Sequence, residues 1–497
     1  MTNKLYDTSL SLLTDLYQVT MAYGYWKSGT AEKEAVFNLY FRKNPFGGGF
    51  TIACGLTNVI GFIENFGFSK KDLRYLRSLT GSDGLPLFEE AFLDYLATLK
   101  LTCDIEAMPE GTVVFPNEPL VRVRGPILQC QLIETPLLNL INFESLIATK
   151  AARLRLVVEQ DILLEFGLRR AQGVDGGMTA SRAAYIGGCD ATSNVLAGKL
   201  YGIPVRGTHA HSWVMSFENE LEAFLTYANV MPNNITLLVD TYDTIQGVRN
   251  AIETGRQLKR QGHKLSAIRL DSGDLAYLSI EARKLLDEAG FTDTAIVASN
   301  DLDETIITSL KQQGAKINIW GVGTKLVTAF DQPALGGVYK LTALRHEPSV
   351  RASVGEWDYK MKLSEQAIKI STPGIQQVRR FRNEQGFVAD MIYDESNARI
   401  APTPTPMTMI DPLDFTKRRK FDADQPYEDL LVPVFRSGNC VYENPDIHTI
   451  RNRVQTQLAG LHPGVKRFVN PHTYPVGLEK HLHELKTELI LKLREGA

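Results

Sequence analysis

The sequence predicts an α/β chain: an irregular (β/α) barrel preceded by an N-terminal α+β domain and followed by a C-terminal segment. Two observations carry this. Between about residues 160 and 345, short apolar runs recur every roughly 20 to 35 residues, each ending in polar, Gly or charged residues and leading into a helix-like stretch. The runs are continuously apolar, as parallel strands covered by helices on both faces require.

Residues 1–140 form the first domain. TDLYQVTMAYGYWKSG has the pattern of a helix, with Thr14 as its cap, and AVFNLYFR, LTCDIEAMPEGTVVF and PLVRVRGP read as strands. The barrel occupies 141–400, with strands expected in LLEFGLRR, IPVRGTHAHS, ITLLVDTYDT, LSAIRLDSGD, AIVASNDLDE, INIWGVGT and GVYKLTAL. Near its end Pro402, Pro404, Pro406 and Pro412 break helix and sheet alike and mark a surface crossing. The remainder, 401–497, holds a strand in LLVPVF and a closing helix with Leu482, Leu485, Leu489 and Leu493 on one packing stripe.

With 497 residues, 44% of them hydrophobic, the chain is long enough for two or three domains. Its net charge of -3 supplies no basic field, so nucleic acid and anionic membrane are not expected partners. The basic run from Lys417 to Lys420 is a solvated face. No apolar run approaches the ~18 residues of a membrane span. The first residues lack the apolar core of a secretion signal, so a cytoplasmic location is expected. Cys54, Cys103, Cys130, Cys189 and Cys440 are too scattered for a disulfide framework or a zinc cluster.

In a (β/α) barrel the loops after the strands converge over one mouth. That makes Arg169, Arg170, His211, Asp240, Arg269, Asp271, Ser299, Asn300, Gly323 and Thr324 candidate neighbours, although each alone is also an ordinary turn former or helix cap. In RGTHAHSWVMSF, His209 and His211 share a face of an extended backbone. An imidazole attacks a phosphoryl group when a carboxylate holds its other nitrogen, and Asp240 and Asp243 in VDTYD are the acids at hand. A metal pair or two surface histidines are the alternatives. In IRLDSGDL, Arg269 beside Asp271 and Asp274 suits an anionic substrate, with the carboxylates taking ribose hydroxyls or magnesium; an ion pair plus a helix cap is the plainer reading. ASNDLDE and GVGTK end strands in small residues that expose backbone N–H groups to phosphate. Neither a Walker motif nor a dinucleotide fingerprint is present.

Taken together, TDLYQ, FRKNPFGGGF, EFGLRR, GGCDATSN, GTHAHS, RLDSGDL, ASNDLDE and GVGT resemble, in order and spacing, the nicotinate phosphoribosyltransferase family. The resemblance runs from TDLYQ to LGGVYKL and is looser after residue 400; Gly49 and Cys54 depart from the family pattern. It implies a two-domain homodimer using nicotinate, phosphoribosyl pyrophosphate and ATP as co-substrate, with Mg2+. His211 resembles the histidine that ATP phosphorylates and Asp240 its orienting acid. Arg269 and Thr208 resemble nicotinate contacts, with Phe166 on one face of the pyridine and Tyr17 of the partner subunit on the other. Arg169, Asp271, Ser299, Asn300, Gly323 and Thr324 resemble phosphoribosyl and pyrophosphate contacts, Asp271 also stabilising charge at the sugar. A nicotinamide-specific relative and a catalytically silent metabolite-binding relative are the alternatives. A Schiff-base aldolase would need Lys325 or Lys340 in an apolar pocket.

Overall fold

A computed structural model describes residues 9–345, 357–366, 369–397 and 406–495. Pro402 and Pro404 of the expected surface crossing lie outside the described residues. The chain divides into two compact units, one made of Met1–Ser145, Ala334–Asp446 and Gln455–Ala497, the other of Leu146–Pro333 and Ile447–Val454. The boundary falls inside the long helix Glu134–Val158. These units differ from the three consecutive segments expected with breaks at 140 and 400, because late strands return to the sheet begun at residue 34.

That return is clearest at GVYKLTAL. The sequence pattern made it a barrel strand, but Gly337–Arg345 pairs antiparallel with Glu34–Phe41 in the first unit. Its burial is intermittent, unlike a strand covered on both faces. Glu34–Phe41 also pairs with Val121–Pro126, and this seven-stranded sheet continues through Asp104–Ala107 to Val432–Arg436. A second, six-stranded sheet contains Gln376–Asn383 and Gly386–Asp394. Leu39, Phe41, Val123, Val378 and Leu478 belong to one core of this unit. Arg380 and Asp390 form a fully buried ion pair at 2.5 Å, which Tyr474 completes by donating to the Asp390 carboxylate at 2.9 Å. The closing helix Lys480–Glu495 packs Leu482 and Leu485 into this core, while Leu493 is exposed. The apolar stripe is therefore used over the first turns only.

The second unit holds the parallel sheet. Its strands are β1 (Ile162–Glu165), β2 (Ala191–Thr192), β3 (Thr236–Leu238), β4 (Ala267–Leu270), β5 (Ala295–Ala298) and β6 (Ile319–Val322), in the order β2-β1-β6-β5-β4-β3. Five of these are the apolar runs of the sequence; β2 comes from GGCDATSN, where no strand was expected. The run IPVRGTHAHS adds only a parallel bridge from Val205 to Thr192. Thus the backbone ladder ends at Val205 on one side and at β3 on the other. A side chain links the two: His209, four residues past Val205, accepts the N–H of Leu238 in β3 at Nε2, 3.2 Å away.

After β3, β4 and β5 the chain enters a helix through a capping carboxylate. Asp243, Asp274 and Asp303 each accept the backbone N–H three residues on and start the helices Thr244–Arg260, Leu275–Glu288 and Glu304–Gln312. Asp243 and Asp274 are therefore structural caps. The helix after β3 lies so close to the strand that a Cβ on Gly247 would sit 1.9 Å from the Val239 carbonyl oxygen. Backbone on both sides leaves nowhere for a methyl group. Gly247→Ala is expected to cost about 1–3 kcal/mol through overpacking, read as a lower urea midpoint in equilibrium unfolding, and to reduce activity because Asp240 and Thr241 follow Val239.

Candidate active site

A cavity of about 450 Å³ opens where the parallel strands end; Phe166 beyond β1, Leu238 of β3, Arg269 of β4, Ser299 beyond β5 and Gly321 of β6 all line it. Arg269 is its most constrained member. Its Nε–H donates to the Ser299 hydroxyl at 2.7 Å, Nη1 to Thr208 Oγ1 at 2.9 Å and Nη2 to Asp271 Oδ1 at 2.7 Å. Three of the five N–H donors are thereby used, leaving one on each terminal nitrogen for an anion in the cavity. The guanidinium carbon lies 5.9 Å from the centre of the Phe166 ring.

Phe166 owes its place to a missing side chain. A Cβ on Gly321 would come within 2.7 Å of the Phe166 ring, so only glycine at that point in β6 leaves room for the aromatic wall. Beneath it Glu165, wholly buried, accepts from the N–H of Gly167 at 2.5 Å, the Ser181 hydroxyl at 2.9 Å and the Thr192 hydroxyl at 2.5 Å, tying β1 to β2.

Asp271 accepts from Arg269 and from the Ser299 hydroxyl on one oxygen. Burial raises its pKa, but Ser299 and Arg269 outweigh burial and hold the carboxyl below its usual range. It is ionised at neutral pH. Its other oxygen is 3.8 Å from His211 Nε2.

His211 opens the short helix His211–Met215, and its Nδ1 lies 3.2 Å from the Thr241 hydroxyl. The resemblance made Asp240 the orienting acid of this histidine; the hydrogen-bond neighbour of Nδ1 in the structure is Thr241. Asp240 uses Oδ2 to take the N–H of Asp271 at 2.8 Å and the Ser272 hydroxyl at 2.6 Å, so it holds the loop after β4. Its Oδ1 is buried and has no hydrogen-bond partner among the described residues. A carboxylate oxygen left in that state fits a cation such as Mg2+. The sequence signal for Thr241 was only its adjacency to Asp240.

The two histidines do not work as a pair. His209 is buried and bonds Leu238, as described above, and burial depresses its pKa, helped by the charge of Arg269. Among the described residues, no group of three His, Cys, Asp or Glu side chains with metal-ligand spacing lies at this cavity. That removes the support for a histidine-based metal centre.

Arg169 and Arg170, on the turn Leu168–Arg170, present exposed guanidinium groups to the cavity opposite Gly323 and Thr324. Asn300 lines the same space in the left-handed region, at φ 98°, and its side chain accepts the N–H of Asp301 at 2.9 Å. A non-glycine residue held there stores backbone strain beside the site. Tyr17 belongs to the first unit, where it is exposed on the helix Leu16–Lys27. Lys325 is paired with Asp303 at 2.6 Å, which raises its pKa, and Lys340 lies on the strand Gly337–Arg345 of the first unit. A permanently charged, paired Lys325 does not suit Schiff-base chemistry.

Models of the nicotinate phosphoribosyltransferase N-terminal domain, the family proper and the C-terminal domain match residues 12–142, 163–372 and 375–486. The chain belongs to the nicotinate phosphoribosyltransferase family. Membership carries the class of chemistry, transfer of a phosphoribosyl group. The chain is 44% identical over 504 residues to the nicotinate phosphoribosyltransferase of Bacillus subtilis, covering 98% of each chain. It is 35% identical over 542 residues to that of Homo sapiens, covering 96% of each. The crystal structure of human nicotinic acid phosphoribosyltransferase matches with a TM-score of 0.82 at 33% identity, over 96% of this chain and 99% of that one. A nicotinate-nucleotide pyrophosphorylase from Pyrococcus furiosus shares the fold, with a TM-score of 0.65 at 21% identity over 90% of this chain and 95% of that one. Among the described residues no helix is long and apolar enough to cross a membrane.

His209 generates a test of the sheet's side-chain link. Because its folded pKa is depressed, the unfolded chain binds more protons below about pH 6.5, so its stabilisation is present above that pH and is lost as pH falls toward the folded pKa. His209→Ala, which leaves the Leu238 N–H unpaired, is expected to cost about 1–3 kcal/mol at pH 7.5. In urea titrations the gap between wild type and variant should narrow at pH 5.5.

Proposed function

We propose that the chain joins nicotinate to phosphoribosyl pyrophosphate, releasing nicotinate mononucleotide and pyrophosphate, and couples this to ATP hydrolysis through a phosphorylated His211. The observation that supports this best is the arrangement of Arg269, Phe166, Asp271 and His211 around one cavity. An aromatic wall, a half-free guanidinium, an ionised carboxylate and an imidazole are the groups such a reaction needs.

Nicotinate carries an anionic carboxylate on a flat ring. The two remaining N–H donors of Arg269 match the carboxylate, and Phe166 offers the ring a stacking face. Holding the pyridine nitrogen toward the sugar's anomeric carbon converts an encounter into an oriented attack. As pyrophosphate leaves, positive charge grows on the ribose, and ionised Asp271 stabilises it more in the transition state than in the bound substrate. Arg169, Arg170, Asn300, Gly323 and Thr324 suit the phosphate and pyrophosphate groups. Asp240 would hold magnesium, which when bound supplies charge neutralisation to the departing pyrophosphate. Phosphorylation of His211 brings roughly two negative charges beside this set, by analogy with phosphorylated hydroxyls. The same reading takes the enzyme as a cytoplasmic homodimer in which Tyr17 of the partner subunit covers the second face of the pyridine, acting at the entry of nicotinate into NAD salvage.

With γ-labelled ATP, the wild type is expected to take up acid-labile phosphate and His211→Ala to take up none and to lose stimulation by ATP. Equal label on both proteins would remove His211 from the reaction. Arg269→Gln should raise the KM for nicotinate by roughly tenfold or more and narrow the preference for nicotinate over nicotinamide, since a charge-assisted pair is replaced by a neutral one. Side-by-side assays with both pyridines measure this, and a wild-type preference for the amide would favour the nicotinamide-specific alternative.

A further inference from the structure

We propose that Thr241 is the positioning residue of His211, holding its Nδ1 through a hydroxyl while Asp271 faces the other ring nitrogen; this rests on the phosphohistidine reading above. The contact to Thr241 is the one hydrogen bond of the His211 ring among the described residues, because Asp271 at 3.8 Å is an ion-pair neighbour beyond hydrogen-bond reach. Asp240 is turned the other way and spent on the β4 loop.

The surroundings make Thr241 a fixed support. Val239, two residues before it, donates its N–H to the Arg269 carbonyl at 3.1 Å, and its own carbonyl is pressed against the glycine helix face described above. Two residues later Asp243 caps the following helix. Thr241 thus stands midway between two anchors, Val239 and Asp243, and its β-branched side chain has few rotamers. The hydroxyl arrives in one place with little freedom.

The chemistry of attack assigns the ring proton. A neutral imidazole attacks phosphorus through its unprotonated nitrogen, so Nε2, the nitrogen that Thr241 leaves free, carries the lone pair and the proton sits on Nδ1. Nδ1–H then donates to the Thr241 hydroxyl. The charged and titratable groups around the ring are Asp271 with Arg269 from β4, His209 on its own segment, and Asp240 beside Thr241.

Full-length Thr241→Val and Thr241→Ser, with His211→Ala as control, test this. Thr241→Val should lower the rate of phosphoryl labelling from ATP by roughly 10- to 100-fold, with the KM for nicotinate within about twofold. Thr241→Ser, which keeps the hydroxyl, should stay within about threefold of wild type. Ring-15N NMR of histidine-labelled wild type should give His211 as the Nδ1–H tautomer, and Thr241→Val should show a mixture. Wild-type labelling rates in Thr241→Val, or a Ser variant as impaired as Val while both remain folded by circular dichroism, would overturn the proposal. So would a tautomer mixture or an Nε2–H form in the wild type, which requires no variant to fold. Undiminished labelling of His211→Ala would instead sink the phosphohistidine reading itself, leaving the two failures distinct.

Discussion

A guanidinium largely withdrawn from water, held at the end of one parallel strand, is the constraint on which the rest of the site depends. Arg269 cannot be buried without partners, because an unpaired charge in that position costs several kcal/mol. Its partners come from three different places along the chain: Thr208 before β3, Asp271 at its own strand end and Ser299 beyond β5. Satisfying one side chain therefore fixes three loops. Asp271 is fixed in turn by Asp240, which bonds its backbone N–H. The result is a hierarchy in which one acid steadies a second, and the second steadies the cation and neighbours the imidazole.

Around that hierarchy the backbone is shaped by what is absent or forced. Gly321 gives up its side chain so that Phe166 can lie across β6. Asn300 accepts a left-handed conformation that a bulkier residue would resist. Such local concessions concentrate where ligands bind, and the surrounding sheet and caps sustain them.

Much of this was legible in the residues. Continuous apolar runs predicted β1, β3, β4, β5 and β6, since burial on both faces demands apolar side chains at every position. Polar residues at their ends mark the cavity because parallel strands all point the same way. What escaped has physical reasons. β2 is two residues long, too short to have a period. GVYKLTAL has the same apolar content as a parallel strand, and only its partner, three hundred residues earlier, decides that it is antiparallel. That Thr241 lies at His211 Nδ1 while Asp240 turns to the loop after β4 depends on the direction of two adjacent side chains, which composition does not encode. Asp243 and Asp274, read as candidates for chemistry, are caps, a role that any strand-to-helix turn invites.

The short stretch Ile447–Val454 returns to the second unit after the chain has completed most of the first. Its Arg451 reaches the carbonyls of Gly188 and Cys189 and meets Asp190, the residue that also receives Arg155 and the N–H of Leu163 in β1. During synthesis on a ribosome this guanidinium emerges some 260 positions after the carboxylate it neutralises. Until then Asp190 has one cation in place of two, and the nascent parallel sheet waits for a fastening delivered nearly at the end of translation. Neither unit corresponds to a single contiguous stretch of message, so no simple truncation would release one intact.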